Sequence, residues 1–225
     1  MTHRFLHQNV VQLYGVSTTR EPMYVVSECL GNGSLLYHLR EGGGRCISFR
    51  EKIDLAVQMA YGIDYLHSQL CIHRNVCAKN VLLSETNIPK IANFRYAKIL
   101  PGEKTVLQLP VEELHTRWYP PEVLESGHFS TKSDIWSFGI LLTEVLTNGK
   151  LPYSDVECRE QLKWMVVNAG YRMPRSQLID CPEQLYEVLS SCWRSQPTLR
   201  PKFEFVITGM SDCVPLDNGY MSTLH

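Results

Sequence analysis

The stretch IHRNVCAKNVLL, residues 72–83, places a polar segment between two apolar ends. Its polar core consists of His73, Arg74, Asn75, Lys79 and Asn80, and it contains no carboxylate. Polar residues that join two buried strands usually bind a charged group or do chemistry. Proton abstraction or Mg²⁺ binding would require an Asp or a Glu at this place. The stretch therefore indicates a site whose chemistry is in question.

Composition favours an ordinary globular domain. The chain has 225 residues, 44% of them hydrophobic, which is enough to bury a core. Its net charge of −1 indicates no broad basic face, so nucleic acid is not predicted as a partner. The eight cysteines contain no CxxC pair and are expected to be reduced thiols of a cytoplasmic protein. The sequence also shows no secretory signal and no apolar run that predicts a membrane span.

Periodicity predicts two strands followed mainly by helices. The β-branched and aromatic runs VVQLYGV (10–16) and MYVVS (23–27) predict a strand–turn–strand unit. Apolar residues then recur at helical spacing, and a further short strand (90–94) and a long loop (95–117) interrupt the pattern. The predicted helices are a short one that Ser34 caps within 31–40, and those at 49–67, 133–147, 158–170, 182–194 and 201–210.

Five segments, in order along the chain, carry a resemblance to a known family. IHRNVCAKN (72–80) resembles the catalytic loop HRDxxxxN of protein kinases, and IANFR (91–95) lies where that family has its metal-binding DFG segment. WYPPE (118–122), SDIWSFGILLTE (133–144) and CW…PTLRP (192–201) resemble the end of the activation segment, the central helix and a late arginine segment. From Leu6 to Met210 the chain thus resembles the Src-like non-receptor tyrosine kinases.

The resemblance implies an α+β, protein-kinase-like fold with a mainly helical large lobe and an incomplete small β lobe. Residues 1–30 would be the remnant of the small lobe and the hinge, residues 31–211 the large lobe, and residues 212–225 a tail. The family's glycine-rich loop, strand lysine and helix glutamate would precede Met1. Two strands alone are marginally stable, so we expect residues 1–30 to pack on the large lobe or to be loose.

The resemblance also assigns roles around the polar loop, with two changes of chemistry. Asn75 occupies the position of the catalytic Asp, and an amide cannot accept a proton there. Asn93 occupies the position of the DFG Asp and offers Mg²⁺ only a neutral oxygen, while Asn80 matches the family's metal-side residue. His73 and Arg74 match the catalytic-loop motif; His73 is expected to be a packing residue stacked beneath Phe94 rather than a substitute base. Arg95 replaces the DFG glycine and is expected to face solvent, the alternative being that its cation fills the place of the metal.

The remaining matched positions concern nucleotide binding and the structural framework of the domain. In the family, Ser27 matches the gatekeeper, Glu28 to Leu30 the hinge and Leu82 the floor under adenine. Asp134 resembles the residue that hydrogen-bonds the catalytic-loop backbone. Glu122 and Arg200 resemble a buried ion pair that ties the activation segment to the late helices.

Four weaker signals are set against plainer interpretations. The glycine cluster at 42–44 lacks the lysine of a phosphate loop and is expected to be a connection. Cys71, His73 and Cys77 lack a fourth ligand at zinc-finger spacing. The loop ILPGEKTVLQLPVEELH (99–115) contains no tyrosine, so activation-loop phosphorylation has no acceptor there. Tyr220 is either a phosphotyrosine docking site or an ordinary tail residue.

These residues favour a pseudokinase, in which ATP and Mg²⁺ binding is weak or absent and the domain acts through protein contacts. Kinases or proteins with SH2 domains would be suitable partners. The alternative is a protein tyrosine kinase that transfers the ATP γ-phosphate to tyrosine, with weak activity or as part of a longer chain. A partial gene product without a selected function is the third possibility.

Overall fold

The computed structural model describes residues 5–19, 21–41, 47–102, 105–111 and 113–214. Helices dominate this part of the chain and the sheets are small, so the predicted α+β class is confirmed. The predicted glycine-cluster connection at 42–44 and Tyr220 lie outside the described residues. The helices are α1 (Leu35–Glu41), α2 (Phe49–Ser68), α3 (Pro121–Ser126), α4 (Thr131–Leu146), α5 (Arg159–Val167), α6 (Glu183–Cys192) and α7 (Phe203–Ser211).

The strands pair only in antiparallel twos within the described residues. The pairs are β1 (Leu13–Ser17) with β2 (Tyr24–Ser27), β3 (Cys71–Ile72) with β6 (Lys98–Ile99), β4 (Val81–Leu83) with β5 (Pro89–Ile91), and β7 (Leu107–Gln108) with β8 (His128–Phe129).

Two long helices form the core beneath the polar loop. Helix α2 is capped by Ser48, which forms a reciprocal capping box with Glu51 and so satisfies two backbone N–H groups at the helix start. Helix α4 starts after Ser130, whose side chain accepts a backbone bond in the same way. Helix α4 is buried on nearly every face, as its sequence predicts, and it packs against α2 and α6.

The N-terminal segment is attached to this core in a way that the sequence did not resolve. Phe5 and Val10 are buried, Val11 N–H donates to the Ile91 carbonyl at 2.9 Å, and Ile91 N–H donates to the Asn9 carbonyl at 2.8 Å. Residues 5–13 therefore pack on the helical part of the chain. Strand β2, by contrast, has every side chain exposed, so the β1–β2 ribbon projects away from the core.

The region after β5 is more ordered than a plain loop. The strand predicted at 90–94 ends at Ile91, and residues Phe94–Tyr96 form a 3₁₀ turn. The loop predicted at 95–117 contains β6, β7 and a 3₁₀ segment at Glu113–Trp118. Periodicity missed these pieces because each is shorter than the window in which a pattern can be recognised. The domain boundaries after residues 30 and 211 remain predictions.

Candidate active site

The backbone of the polar loop is held from below by Asp134 of helix α4. One carboxylate oxygen accepts His73 N–H at 2.8 Å and lies 3.1 Å from His67 Nε2, and the other accepts Arg74 N–H at 2.9 Å. Burial alone would raise the pKa of this carboxyl, but the hydrogen bond to His67 and the further interactions with His67 and His73 lower it below its ordinary value. The predicted contact between Asp134 and the loop backbone is thus present, and it fixes the loop's shape.

His73 is placed where it cannot act as a general base. Its side chain is fully buried, and its Nε2 lies 2.8 Å from the Ala92 carbonyl. A carbonyl only accepts, so Nε2 carries the proton, and Nδ1 accepts Asn75 N–H at 3.3 Å. Burial lowers the pKa of the ring, which keeps it neutral. The ring meets Phe94 edge-on, at 69° and 5.3 Å between centroids, rather than stacked beneath it as predicted, because both histidine nitrogens are bonded in the ring plane.

The three asparagines form one chain of amide hydrogen bonds. Asn80 Nδ2 donates to the Asn75 carbonyl at 2.8 Å, which directs Asn80 Oδ1 toward the neighbouring loop. That oxygen accepts Asn93 Nδ2 at 2.9 Å. Asn93 adopts a left-handed backbone, φ 61° and ψ 64°, which asparagine tolerates better than most residues. We call the bond between Asn80 and Asn93 the amide clasp.

The amide clasp does not fit a divalent metal. Mg²⁺ prefers charged oxygens in octahedral geometry, and the two candidate ligands here are neutral. An aspartate at position 93 would set a negative oxygen against Asn80 Oδ1, and a cation would be needed between them. The N–H of Asn93 takes the place of that cation, since it donates directly to the oxygen. The side-chain amides of Asn80 and Asn93 thus satisfy each other by a hydrogen bond. No chemical step through a metal–nucleotide complex follows from this arrangement.

Arg74 ties the segment after β5 to the loop through backbone carbonyls. Its guanidinium donates to the Tyr96 carbonyl at 3.1 Å and to the Pro110 carbonyl at 2.9 Å, and it lies 4.2 Å over the Phe129 ring. The loop at 99–115 contains no tyrosine. These bonds to carbonyl oxygens hold both ends of the segment without a phosphate group.

The residues predicted to frame adenine do not line the cavity beside the amide clasp. Ser27 is exposed at the end of β2, and Leu82 lies in β4 opposite Lys90. Glu28 Oε1 accepts Gln12 N–H at 2.7 Å and the Lys90 ammonium at 3.0 Å. None of these residues, nor Leu30, lines the cavity beside the amide clasp.

The predicted pair between Glu122 and Arg200 is present. Two guanidinium nitrogens of Arg200 each lie 2.7 Å from a different Glu122 oxygen, and the Arg200 side chain has no exposure. The guanidinium also donates to the carbonyls of Arg194 and Lys132, both at 2.9 Å. This bidentate pair joins α3 to the segment before α7.

Glu144 is a site residue that the sequence reasoning missed. It lies near the end of α4, is 2% exposed, and its Oε2 accepts both Ala78 N–H at 2.9 Å and Trp118 Nε1–H at 3.0 Å. Burial raises its pKa to about 7, although both hydrogen bonds act in the opposite direction. The signal that points to it is a single carboxylate in the apolar run ILLTEVL, since such a charge is costly to bury.

A cavity of about 400 Å³ lies above these residues. Asn75, Asn80 and Asn93 line it, and Arg95 lies on its rim as an exposed side chain 5.5 Å over the Tyr96 ring. Arg95 therefore faces solvent at the cavity mouth. The other lining residues include Arg40, Lys79, Trp118 and Glu144.

Comparison with known proteins gives protein kinases, both in the family model that matches the chain and in its relatives. The family model described as protein tyrosine and serine/threonine kinase matches residues 1–210. The chain is 40% identical over 207 residues to tyrosine-protein kinase Src64B of Drosophila melanogaster, a match that covers 90% of this chain and 36% of that protein. It is 37% identical over 216 residues to the Homo sapiens tyrosine-protein kinase FRK, covering 95% of this chain and 42% of that protein.

A third relative, tyrosine-protein kinase SRK3 of Spongilla lacustris, is 38% identical over 204 residues, covering 88% of this chain and 58% of that protein. The chain thus spans between 36% and 58% of the length of these three relatives. Of the helices in the described ranges, none is both long enough and apolar enough to cross a membrane.

Proposed function

This chain belongs to the protein tyrosine and serine/threonine kinase family, and from that premise we propose that it is a tyrosine-kinase-like domain that acts through protein contacts without catalysing phosphoryl transfer. The observation that carries the proposal is the amide clasp. The oxygen that the family directs at a metal, Asn80 Oδ1, already accepts a hydrogen bond from Asn93. Binding of Mg²⁺ would have to break that bond and offers no charged oxygen in return.

The position of the catalytic base supports the same proposal. Asn75 is an amide, and loss of a general base costs ~10²–10⁴ in rate. His73 does not replace it, because both of its ring nitrogens are in hydrogen bonds and its pKa is lowered by burial. Loss of the charged metal ligand adds further to the barrier, about tenfold in rate for every ~1.4 kcal/mol.

The retained scaffold argues for a selected role. Asp134 still fixes the loop backbone, the Glu122–Arg200 pair is intact, and Arg74 holds the segment before α3. A chain that has altered its chemistry while keeping these contacts presents a defined surface to other proteins. We propose kinases or proteins with SH2 domains as the partner class, and a cytoplasmic location.

A second candidate is an active tyrosine kinase. The three relatives, at 37–40% identity, are named as tyrosine kinases, and this chain spans only part of their length. In that case a longer chain would supply what this one lacks. The amide clasp and Asn75 argue against it, because both lie within this chain.

Transfer of radiolabelled phosphate to a mixed tyrosine polymer, with Mg²⁺ or Mn²⁺, tests the proposal. We expect the wild-type protein to give no more transfer than Asn80→Ala, with the catalytic domain of an active relative as the positive control. Turnover that Asn80→Ala abolishes would contradict the proposal and support the second candidate. A Mg²⁺-dependent rise in melting temperature with ATP would contradict the part that concerns nucleotide.

A further inference from the structure

The cleft beside the amide clasp carries an excess of positive charge. Three cationic side chains line it, those of Arg40, Lys79 and Arg95. The only carboxyl group among its described lining side chains is that of Glu144. That carboxyl is 2% exposed and receives its hydrogen bonds from neutral donors.

Two of these cations are available to a ligand. Lys79 and Arg95 are both exposed, and neither has a hydrogen bond or an ion pair to any residue in the described part of the chain. The closest recorded contact of the Arg95 guanidinium is with the Tyr96 ring at 5.5 Å, which leaves its N–H groups free to donate. Arg40 Nε is engaged, since it donates to the Gly149 carbonyl at 2.7 Å.

A hydrogen-bond donor that lines the same cleft also lacks a partner within the described residues. Asn75 is 5% exposed and lines the cleft, and its side-chain nitrogen has no hydrogen bond within the described residues. The nitrogen atom itself is not fully buried, so it can donate to an acceptor group of a ligand in the cleft. At this position a carboxylate would repel an anion, whereas the amide donates to one.

The walls of the cleft add an aromatic component. Tyr96 and Trp118 line it together with the apolar side chains of Leu36 and Leu151. Ligand sites combine apolar walls with a few convergent polar groups, and about 400 Å³ lies within the usual range of ~300–1,000 Å³. The combination suits an aromatic ring that bears a phosphate.

We propose that the cleft binds the phosphorylated side chain of a tyrosine in a partner protein, without a metal, through Lys79, Arg95 and the Asn75 amide. The inference rests on the proposed function, because a cleft that turned over ATP would release such a group as product. It gives the non-catalytic domain a definite ligand chemistry, that of an aryl phosphate monoester. The two cations supply charge-assisted hydrogen bonds to the phosphate oxygens, and the aromatic walls contact the ring.

Fluorescence anisotropy with EDTA present tests this inference. The probe is a fluorescein-labelled pentapeptide with phosphotyrosine between paired glycines, and the unphosphorylated peptide is its control. We expect the phosphopeptide to bind at least about tenfold more tightly, and we expect phenyl phosphate to displace it at lower concentration than inorganic phosphate or metal-free ATP. Equal binding of both peptides would overturn the inference, and equal displacement by inorganic phosphate or ATP would overturn its aryl component.

Charge variants locate the site. Lys79→Gln and Arg95→Gln are each expected to weaken binding about tenfold, and Asn75→Asp to weaken it further by placing a carboxylate against the phosphate. Lys202→Gln, an exposed lysine that does not line the cleft, removes the same charge and is expected to leave binding unchanged. Unchanged binding in the Lys79 and Arg95 variants, with circular dichroism like that of the wild type, would overturn the assignment.

The outcomes separate this inference from the proposed function. A protein that transfers no phosphate and binds no phosphopeptide refutes the inference alone. A protein that transfers phosphate in an Asn80-dependent manner refutes the proposed function, whatever it binds in EDTA.

Discussion

Glu144→Gln is expected to stabilise the protein, and more strongly as the pH rises. In the folded chain burial raises the Glu144 pKa from 4.5 to about 7. Because the protonated carboxyl is favoured in the folded state, the free energy of unfolding is highest below the unfolded pKa of 4.5. It falls as the pH rises from there through the folded pKa of about 7. The difference corresponds to roughly 3 kcal/mol of destabilisation at pH values well above both, at ~1.4 kcal/mol per pKa unit.

The structure indicates how much of this a glutamine would recover. Ala78 N–H and Trp118 Nε1–H both donate to the same oxygen, Oε2, so one amide oxygen can accept both bonds. Those bonds lose their charge assistance, which costs about 1 kcal/mol. We therefore expect the free energy of unfolding to rise by about 2 kcal/mol at about pH 8.5 and to change little at about pH 5.

Urea denaturation at the two pH values, followed by circular dichroism, measures this difference. Glu125→Gln is the matched control, because Glu125 is exposed on α3 and its substitution removes the same charge. We expect the control to change stability by less than about 0.5 kcal/mol at either pH. A Glu144→Gln effect that does not depend on pH, or a loss of stability at the higher pH, would refute the reasoning from burial.

Three further substitutions test other contacts. Asn93→Asp should lower the free energy of unfolding by about 1 kcal/mol, because it removes the hydrogen bond that Asn93 donates to Asn80. The substitution should also create a Mg²⁺-dependent rise in melting temperature that the wild type lacks. An equal rise in both proteins would contradict the amide clasp. Glu122→Gln should lower the free energy of unfolding by ~3–5 kcal/mol, because it leaves the fully buried Arg200 cation without its anion. A denaturation curve that matches that of the Glu125→Gln control would show that the pair contributes nothing to stability. Gly62→Ala should lower the free energy of unfolding by about 1–3 kcal/mol, since the added Cβ would lie 2.5 Å from a backbone carbonyl oxygen of the N-terminal segment. A variant as stable as the wild type would mean that this segment moves aside freely.

The features that the sequence predicted well are those with local causes. Helix α2 was predicted over 49–67 and spans Phe49–Ser68, and the buried helix predicted over 133–147 spans Thr131–Leu146. Apolar spacing and a capping residue determine both helices within a few turns of chain. The kinase-like fold followed from motifs at family spacing, and the family match over residues 1–210 confirms it.

The chemistry of the site required distances between residues far apart in the chain. Asn80 and Asn93 were each recognised as candidate metal ligands, but their mutual bond depends on how both amides are oriented. The raised Glu144 pKa depends on burial beneath a loop that starts more than sixty residues earlier. The edge-on approach of Phe94 to His73 likewise follows from hydrogen bonds that no periodicity reveals.

The projecting β1–β2 ribbon divides the chain into two levels of stability. Its two strands bond to each other, and the side chains of β2 are all exposed, so little apolar burial opposes its opening. Its amide protons should exchange with solvent through local opening, while those of α2 and α4 should exchange only when the whole core unfolds. A melting curve followed by helical circular dichroism would therefore report on the core alone, and the ribbon would already have opened at temperatures where that curve is still flat.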